Sequence, residues 1–520
     1  MRWKHNNLST AHATRWDRSR FGCVRRQAQR ERPLQGEVEV DVAVVGGGLV
    51  GLTTAYLCKR AGLRVAVLEA HDIGGGESMR TTAHVTAQPD ARWKKIVKDL
   101  GAATSTQLWH EAMASIDELE QIVHELKIEC DWKRVDGYLF TESEDGLPAL
   151  GEELKAACSA GVSCTLSTNH ELLPWRIAAA LRIERQAQLD PWPFISALAD
   201  FVDGNGSHVF EGSPVLEVHE DAKIRVVTGR GTVIADHAVI ATHAPFTNRV
   251  LLQTKIAHYR SYAVAVSTRD PFPSGLFWDD QDPYHYIRGA RIGDRSVVIV
   301  GGEDHRTGQD DDTKVHLANL EAWTAQRIVG ARVEAAWSGQ ILEPVDGLPY
   351  IGRNSLDEKV LVATGFSGTG WAYGALAARM IRDSITGVDH TLASVLAATR
   401  ITPLASAQRY VKENAQFPWQ FFGGHLAKAV GEIEDLPNDA GKLIAVADKK
   451  KAAVYRDAEG GLHAFSAVCP HLGCVVDFNQ LEKSWDCPCH GSRFDVHGHV
   501  LNRPAIRGLT PLEIEESDPL

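Results

Sequence analysis

The apolar pattern of the chain begins with a β-branched run, Val42-Ala43-Val44-Val45, which enters the turn Gly46-Gly47-Gly48. An apolar stretch from Leu52 to Arg60 has helical length, and Arg64-Val65-Ala66-Val67-Leu68-Glu69 reads as a second strand. A short continuous apolar run bounded by turn residues is the signature of a strand buried on both faces, so this segment predicts a strand–helix–strand unit. Leu108 to Leu126 has helical apolar spacing, and Val297-Val298-Ile299-Val300 before Gly301-Gly302 is another buried-strand run. From about Leu426 the pattern changes. Short runs (Leu443-Ile444-Ala445-Val446, Ala452-Ala453-Val454-Tyr455, Leu462-His463-Ala464-Phe465) alternate with charged or glycine-containing turns, which predicts an antiparallel all-β module.

The first turn is a G-x-G-x-x-G sequence, Gly46, Gly48 and Gly51, and Glu69 ends the second strand. Glycines there let the backbone approach a pyrophosphate at a helix N-terminus, and the acid meets ribose hydroxyls. With strand, helix and acid in register, the segment predicts dinucleotide binding. Three later segments bear on which dinucleotide: Gly74-Gly75-Gly76-Glu77-Ser78-Met79-Arg80-Thr81-Thr82; Val239-Ile240-Ala241-Thr242-His243-Ala244-Pro245; and Asp346-Gly347-Leu348-Pro349-Tyr350-Ile351-Gly352 followed by Gly365-Phe366-Ser367-Gly368-Thr369-Gly370-Trp371. In order and spacing these resemble the D-amino-acid oxidase, glycine oxidase and sarcosine oxidase superfamily over about residues 38 to 395. The resemblance implies FAD, with contacts from Gly46, Gly48, Leu49, Gly51, Glu69, Ala70, Gly76, Ser78, Thr81, Thr82, Val215 on the adenine side, Ala241, Gly365, Gly368, Thr369 and Gly370. Some members attach flavin through a His in the second glycine loop or a Cys before the Asp-Gly motif. Arg80 and Ser338-Gly339-Gln340-Ile341 stand there, so dissociable FAD is expected, with His84 as the neighbouring residue that leaves attachment open.

Near the C-terminus lie two boxes, Cys469-Pro470-His471-Leu472-Gly473-Cys474 and Cys487-Pro488-Cys489-His490-Gly491-Ser492. Each offers one thiolate and one imidazole, the set a Rieske [2Fe–2S] centre needs: Cys469 and Cys487 on one iron, His471 and His490 on the other. A tetrahedral zinc site is the competing reading. It leaves Cys474, Cys489 and the flanking Leu-Gly and Gly-Ser pairs unexplained. The boxes resemble high-potential Rieske proteins, and that resemblance implies a Cys474–Cys489 disulfide, a Ser492 hydroxyl on a bridging sulfide and a proline loop at Asn502-Arg503-Pro504-Ala505 over the cluster. Phe494 departs from the pattern, standing where the family has a Tyr whose hydroxyl bonds a ligand sulfur. Losing that donor should lower the potential. The whole chain is similar to bacterial flavoproteins with a C-terminal Rieske domain.

The expected fold class is therefore α/β: a Rossmann-type FAD-binding domain with an inserted mixed-sheet substrate domain, plus a C-terminal all-β Rieske domain. The boundaries read as a basic extension over 1–37, an oxidoreductase domain over 38–400 with its substrate part at roughly 90–205 and 250–340, a linker over 401–425, and the Rieske domain over 426–520. Residues 1–36 carry nine Lys/Arg against two acids, and 426–520 carry ten against fifteen, within a net charge of −12. The basic arm has no apolar run behind Arg25-Arg26, and no stretch approaches a membrane span. An organellar transit peptide and a solvated extension are the two readings of the arm. The second is preferred, with a cytoplasmic setting and no nucleic-acid partner. The remaining cysteines, including Cys158 and Cys164, read as free thiols.

Within the substrate region, Tyr284-His285-Tyr286-Ile287-Arg288 resembles the superfamily's strand over the flavin. Arg288 is the candidate fork for a substrate carboxylate, with Tyr286 beside it; an interdomain ion pair is the competing role. His243 and His285 are as well explained by packing as by catalysis. A hydride acceptor joined to a one-electron centre suggests an amine or amino-acid dehydrogenase. Electrons would leave singly through the cluster to a protein carrier. The alternatives are a non-enzymatic relay or redox sensor, or flow in the reverse direction. A Rieske oxygenase is rejected, because no two of the 22 His have the spacing of its mononuclear iron site.

Overall fold

A computed structural model describes residues 32–247, 252–292, 295–310, 312–354, 359–400, 432–446 and 450–513. The expected linker at 401–425 and nearly all of the basic extension lie outside these residues. The buried β-branched runs assemble one six-stranded sheet, in the order Tyr350–Arg353, Val360–Thr364, His237–Ile240, Val42–Val45, Val65–Leu68 and His208–Phe210. All neighbours are parallel except the first pair. Helix Leu49–Arg60 follows strand Val42–Val45 after the Gly46-Gly47-Gly48 turn, and helix Gly370–Thr386 follows the last glycine motif. Two glycines make this packing possible. Gly46 has φ of 111°, and a Cβ there would lie 2.3 Å from Ala241 O; a Cβ on Gly51 would lie 1.9 Å from Gly46 O. Only hydrogen fits at either place.

A mixed nine-stranded sheet forms the second layer, built around Ile256–Ser267, His285–Ile292, Arg295–Arg306 and Arg332–Pro344. The helical spacing read from Leu108 belongs to a helix over Ala102–Glu125. The C-terminal part has a three-stranded and a four-stranded sheet, both antiparallel, as the alternating runs imply. Phe494 is fully buried there in the core with Trp485.

The C-terminal domain is docked on the rest of the described chain through buried polar groups. Arg260, 0% exposed, pairs with Glu482 at 2.6 Å; Glu482 also meets Arg493 at 2.7 Å, and Arg493 meets Asp486 at 2.9 Å. Burial opposes ionisation of Glu482, but the Arg260 and Arg493 charges outweigh it and hold the carboxyl far below its usual range. Thr313 Oγ1 donates to Asn479 Oδ1 at 2.8 Å, and Gln309 Nε2 donates to Pro488 O at 3.2 Å. Paired and hydrogen-bonded charges of this kind hold one arrangement in place, because any displacement strands a charge.

Candidate active site and cluster site

A cavity of about 790 Å³ opens at the C-terminal ends of the six-stranded sheet. Its wall contains Gly46, Gly48, Leu49, Glu69, Ala70, Gly76, Ser78, Thr81, Thr82, Val215, Ala241, Gly368, Thr369 and Gly370 from the expected contacts. Gly51 and Gly365 stand behind the wall, the first under Gly46 and the second against Pro344. The wall fits a dinucleotide. Helix Leu49–Arg60 starts at Gly48, and Gly48, Leu49 and Val50 line the cavity, so its N-terminal dipole faces it. A Cβ on Gly48 would sit 2.8 Å from Ser78 Oγ, which already accepts from Leu49 N at 2.9 Å. Glu69 is fixed by Gly47 N at 2.8 Å and His71 N at 2.9 Å. Helix Gly370–Thr386 also starts on the cavity without a side-chain cap, a second positive pole for charge collecting on a reduced ring.

Tyr286 lines the opposite end of the cavity, with its hydroxyl 2.8 Å from Ser261 Oγ and its ring 5.7 Å from that of Tyr284. Burial raises the phenol's pKa, so it stays protonated. Asp90 and Glu343 line this end, and burial raises the Asp90 carboxyl above its usual range. Nearby Asp304 is pushed up to about 8, first by burial and then by the acids around it. Arg288 is not in the wall. It donates to the carbonyls of Thr82, Gly289 and Leu189, so its fork ties the strand to the second glycine loop. His84 does line the cavity, but both ring nitrogens are engaged, with Thr82 Oγ1 and Ile287 O. His285 is held by Asp279 at 2.9 Å and stacks on Trp323.

In the C-terminal domain the two loops bring Cys469, Cys487 and His490 together as buried residues, with His471 half-buried. The two imidazoles lie 5.0 Å apart between centroids and nearly perpendicular. Burial lowers the pKa of His471 to about 4 and of His490 to about 3, so both offer neutral nitrogens, as metal ligation requires. Cys474 and Cys489 form a disulfide, which leaves only Cys469 and Cys487 as thiols in these loops. Ser492 Oγ, fully buried, accepts from Ala505 N at 3.0 Å and so ties the proline loop to the second box.

The sequence matches the family described as FAD dependent oxidoreductase over residues 41–384 and the Rieske [2Fe-2S] domain over residues 427–513. The chain belongs to the FAD-dependent oxidoreductases. This oxidoreductase is of the amino-acid oxidase type, binds FAD and carries a Rieske domain for a [2Fe–2S] cluster. YhfW of Bacillus subtilis, whose name describes a Rieske 2Fe-2S iron-sulfur protein, is 30% identical over 93% of this chain and 95% of its own length. The gamma-glutamylputrescine oxidoreductase of Escherichia coli is 24% identical over 68% of this chain and 85% of its own. Among solved structures, glycine oxidase from Geobacillus kaustophilus superposes with TM-score 0.61 at 19% identity, covering 70% of this chain and all of that one. Among the described residues, no helix is long and apolar enough to cross a membrane.

Several residues of this oxidoreductase escaped the motifs. Gln340, in the cavity wall, donates through Nε2 to Gly491 O at 2.8 Å, one residue from His490. His258 is packed so closely that a Cβ on Gly491 would lie 2.5 Å from its Nδ1. His258 Nδ1 and Nε2, His243 Nε2 and Gln340 Oε1 are buried without a partner among the described residues. Burial lowers the pKa of His258 and of His243. No local pattern gives Gln340 or His258 a role between the domains; only the docking does.

Proposed function

We propose that this protein oxidises a C–N bond of an amine or amino acid and passes the electrons singly to an external protein carrier. When bound, FAD supplies hydride acceptance and the [2Fe–2S] cluster supplies one-electron carriage. Cys469, Cys487, His471 and His490 would hold the cluster, and the glycine loops with Glu69 and Val215 would hold FAD. Tyr286, Tyr284 and Ser261 orient the substrate over the reacting end of the cavity. Arg288 is occupied by carbonyls; at that end the wall holds two acids, Asp90, which accepts from Gly368 N, and Glu343, against the nearby Arg92. This charge balance favours a substrate recognised through its amine.

The observation that carries the relay is the Gln340–Gly491 hydrogen bond, a single 2.8 Å bridge from the cavity wall to the loop of an expected iron ligand. His490 is buried on that side, whereas His471 is half-buried and its neighbour Leu472 is 48% exposed. One imidazole is thus turned inward and the other lies beside an exit surface. The test is anaerobic stopped-flow spectroscopy with an amine and amino-acid panel on the full chain and on His471→Ala. Flavin bleaching should persist in the variant, while turnover with a one-electron protein carrier should fall sharply. Equal carrier turnover without the cluster would refute the relay, and no bleaching by any amine or amino acid would refute the substrate class.

A further inference from the structure

The cavity that fits FAD is not built by the oxidoreductase part alone. Leu501, Asn502, Arg503 and Ile506 of the Rieske domain also line it. Two of them reach the dinucleotide motifs directly. Asn502 Nδ2 donates to Glu77 Oε1 at 2.8 Å, in the second glycine loop. Arg503 Nη2 donates to Val215 O at 3.0 Å, and its guanidinium lies 4.3 Å over the Phe246 ring. The other terminal nitrogen, Nη1, is buried and has no partner among the described residues.

A guanidinium is a planar fork of donors, and leaving one of them buried and unused is unfavourable unless an acceptor arrives. Burial lowers the pKa of Arg503 only to about 10, so it is a cation at neutral pH, with Glu69 as the opposing charge. Val215 and Glu69 mark the end of the cavity where the adenosine part of a dinucleotide belongs. That part offers ribose hydroxyls, ring nitrogens and a phosphate, all acceptors. The loop's other face is already committed: Ala505 N donates to Ser492 Oγ beside the cluster thiols.

We propose that Arg503, carried by the Rieske domain, is a ligand of the adenosine half of FAD, so that the dinucleotide site is shared between the two domains. The inference rests on the cavity being the FAD site. The Rieske domain then has a second task besides electron carriage: it retains the flavin. A chain cut before the Rieske domain would lose a wall of the flavin site, which is why point substitutions in the full chain are the proper probes.

The experiment uses full-length protein stripped of FAD under mild conditions, with affinity for FAD read from fluorescence quenching and ADP as a competing probe of the adenosine subsite. Arg503→Met should weaken FAD and ADP together, by roughly ten- to hundredfold for one charge-assisted hydrogen bond. Arg503→Lys, which keeps the charge without the fork, should fall between. Iron content and the reduced-cluster EPR signal should stay as in the parent, which shows that the Rieske domain remains folded. Thr313→Val breaks an interdomain hydrogen bond away from the cavity and should leave both affinities unchanged. Unchanged FAD and ADP affinity in Arg503→Met and Arg503→Lys would overturn the proposal, as would an equal loss in Thr313→Val. Failure of ADP to compete with FAD in the parent protein would instead refute the assignment of the cavity.

Discussion

Glu482 is the test case for how the two domains are held together. Its Oε2 lies 2.6 Å from Arg260 Nη2 and 2.7 Å from Arg493 Nη2, and its Oε1 accepts from Arg260 Nε at 3.0 Å. Glu482→Gln keeps the shape and removes the charge. Arg493 retains Asp486 at 2.9 Å, but Arg260, fully buried, is left with Ser338 as its near hydrogen-bond partner. Stranding one member of a buried ion pair costs about 3–5 kcal/mol. At about 1.4 kcal/mol per tenfold, that weakens docking by roughly two to three and a half orders of magnitude. The assay is urea denaturation followed at once by flavin fluorescence and by the visible absorbance of the cluster. Both transitions should move to lower urea in Glu482→Gln and should separate from each other as the domains come apart. Arg260→Met with Glu482→Leu should recover much of the loss, since an apolar pair of similar size often replaces a buried ion pair without penalty. A Glu482→Gln protein whose transitions stay within about 0.5 kcal/mol of the parent would refute the reasoning, because surface pairs are worth no more than that order.

Glu77 gives a pH prediction. Burial alone would raise its pKa, but Arg80 and Arg260 outweigh it and hold the carboxyl near 2 instead of 4.5. A carboxyl lowered in the folded state stabilises fully above about pH 4.5 and loses that contribution as pH falls toward 2, here about 3 kcal/mol. Flavin release measured against pH should therefore steepen through that window in the parent and flatten in Glu77→Gln; identical profiles would show that the ion cluster does not hold the glycine loop. Anaerobically purified protein should contain about two iron atoms per chain and no zinc. A stoichiometric zinc content would restore the tetrahedral alternative for the Cys and His boxes.

What could be read in advance had a local cause. Val42–Val45 and Val65–Leu68 are buried on both faces of a parallel sheet, so every position had to be apolar. The cysteine and histidine boxes are legible because the residues that converge on a cluster lie within one short loop each. Arg288 shows the limit. Its position on the strand was legible, but three backbone carbonyls claim its donors, and no sequence pattern records which carbonyls will lie near. The interdomain residues were hidden for a related reason. Gln340 meets Gly491 across 151 positions, Arg260 meets Glu482 across 222, and Arg503 meets Val215 across 288. Contacts at such separations carry no periodicity, and the motifs of each domain are complete without them.

The bridge from Gln340 to Gly491 joins two parts of a single polypeptide. In separate proteins the same contact would be a collision, with a rate that falls on dilution and a partner that can be exchanged. Within one chain its translational cost has been met by the covalent connection, and the effective concentration of one surface for the other is fixed. Under the relay reading, the internal transfer is then first order, indifferent to how much protein the cell makes or how strongly it is diluted. The one diffusional encounter left to the electrons once they are on the flavin is the last, at the half-buried His471, so at saturating substrate the abundance of the outside carrier sets the concentration dependence of turnover.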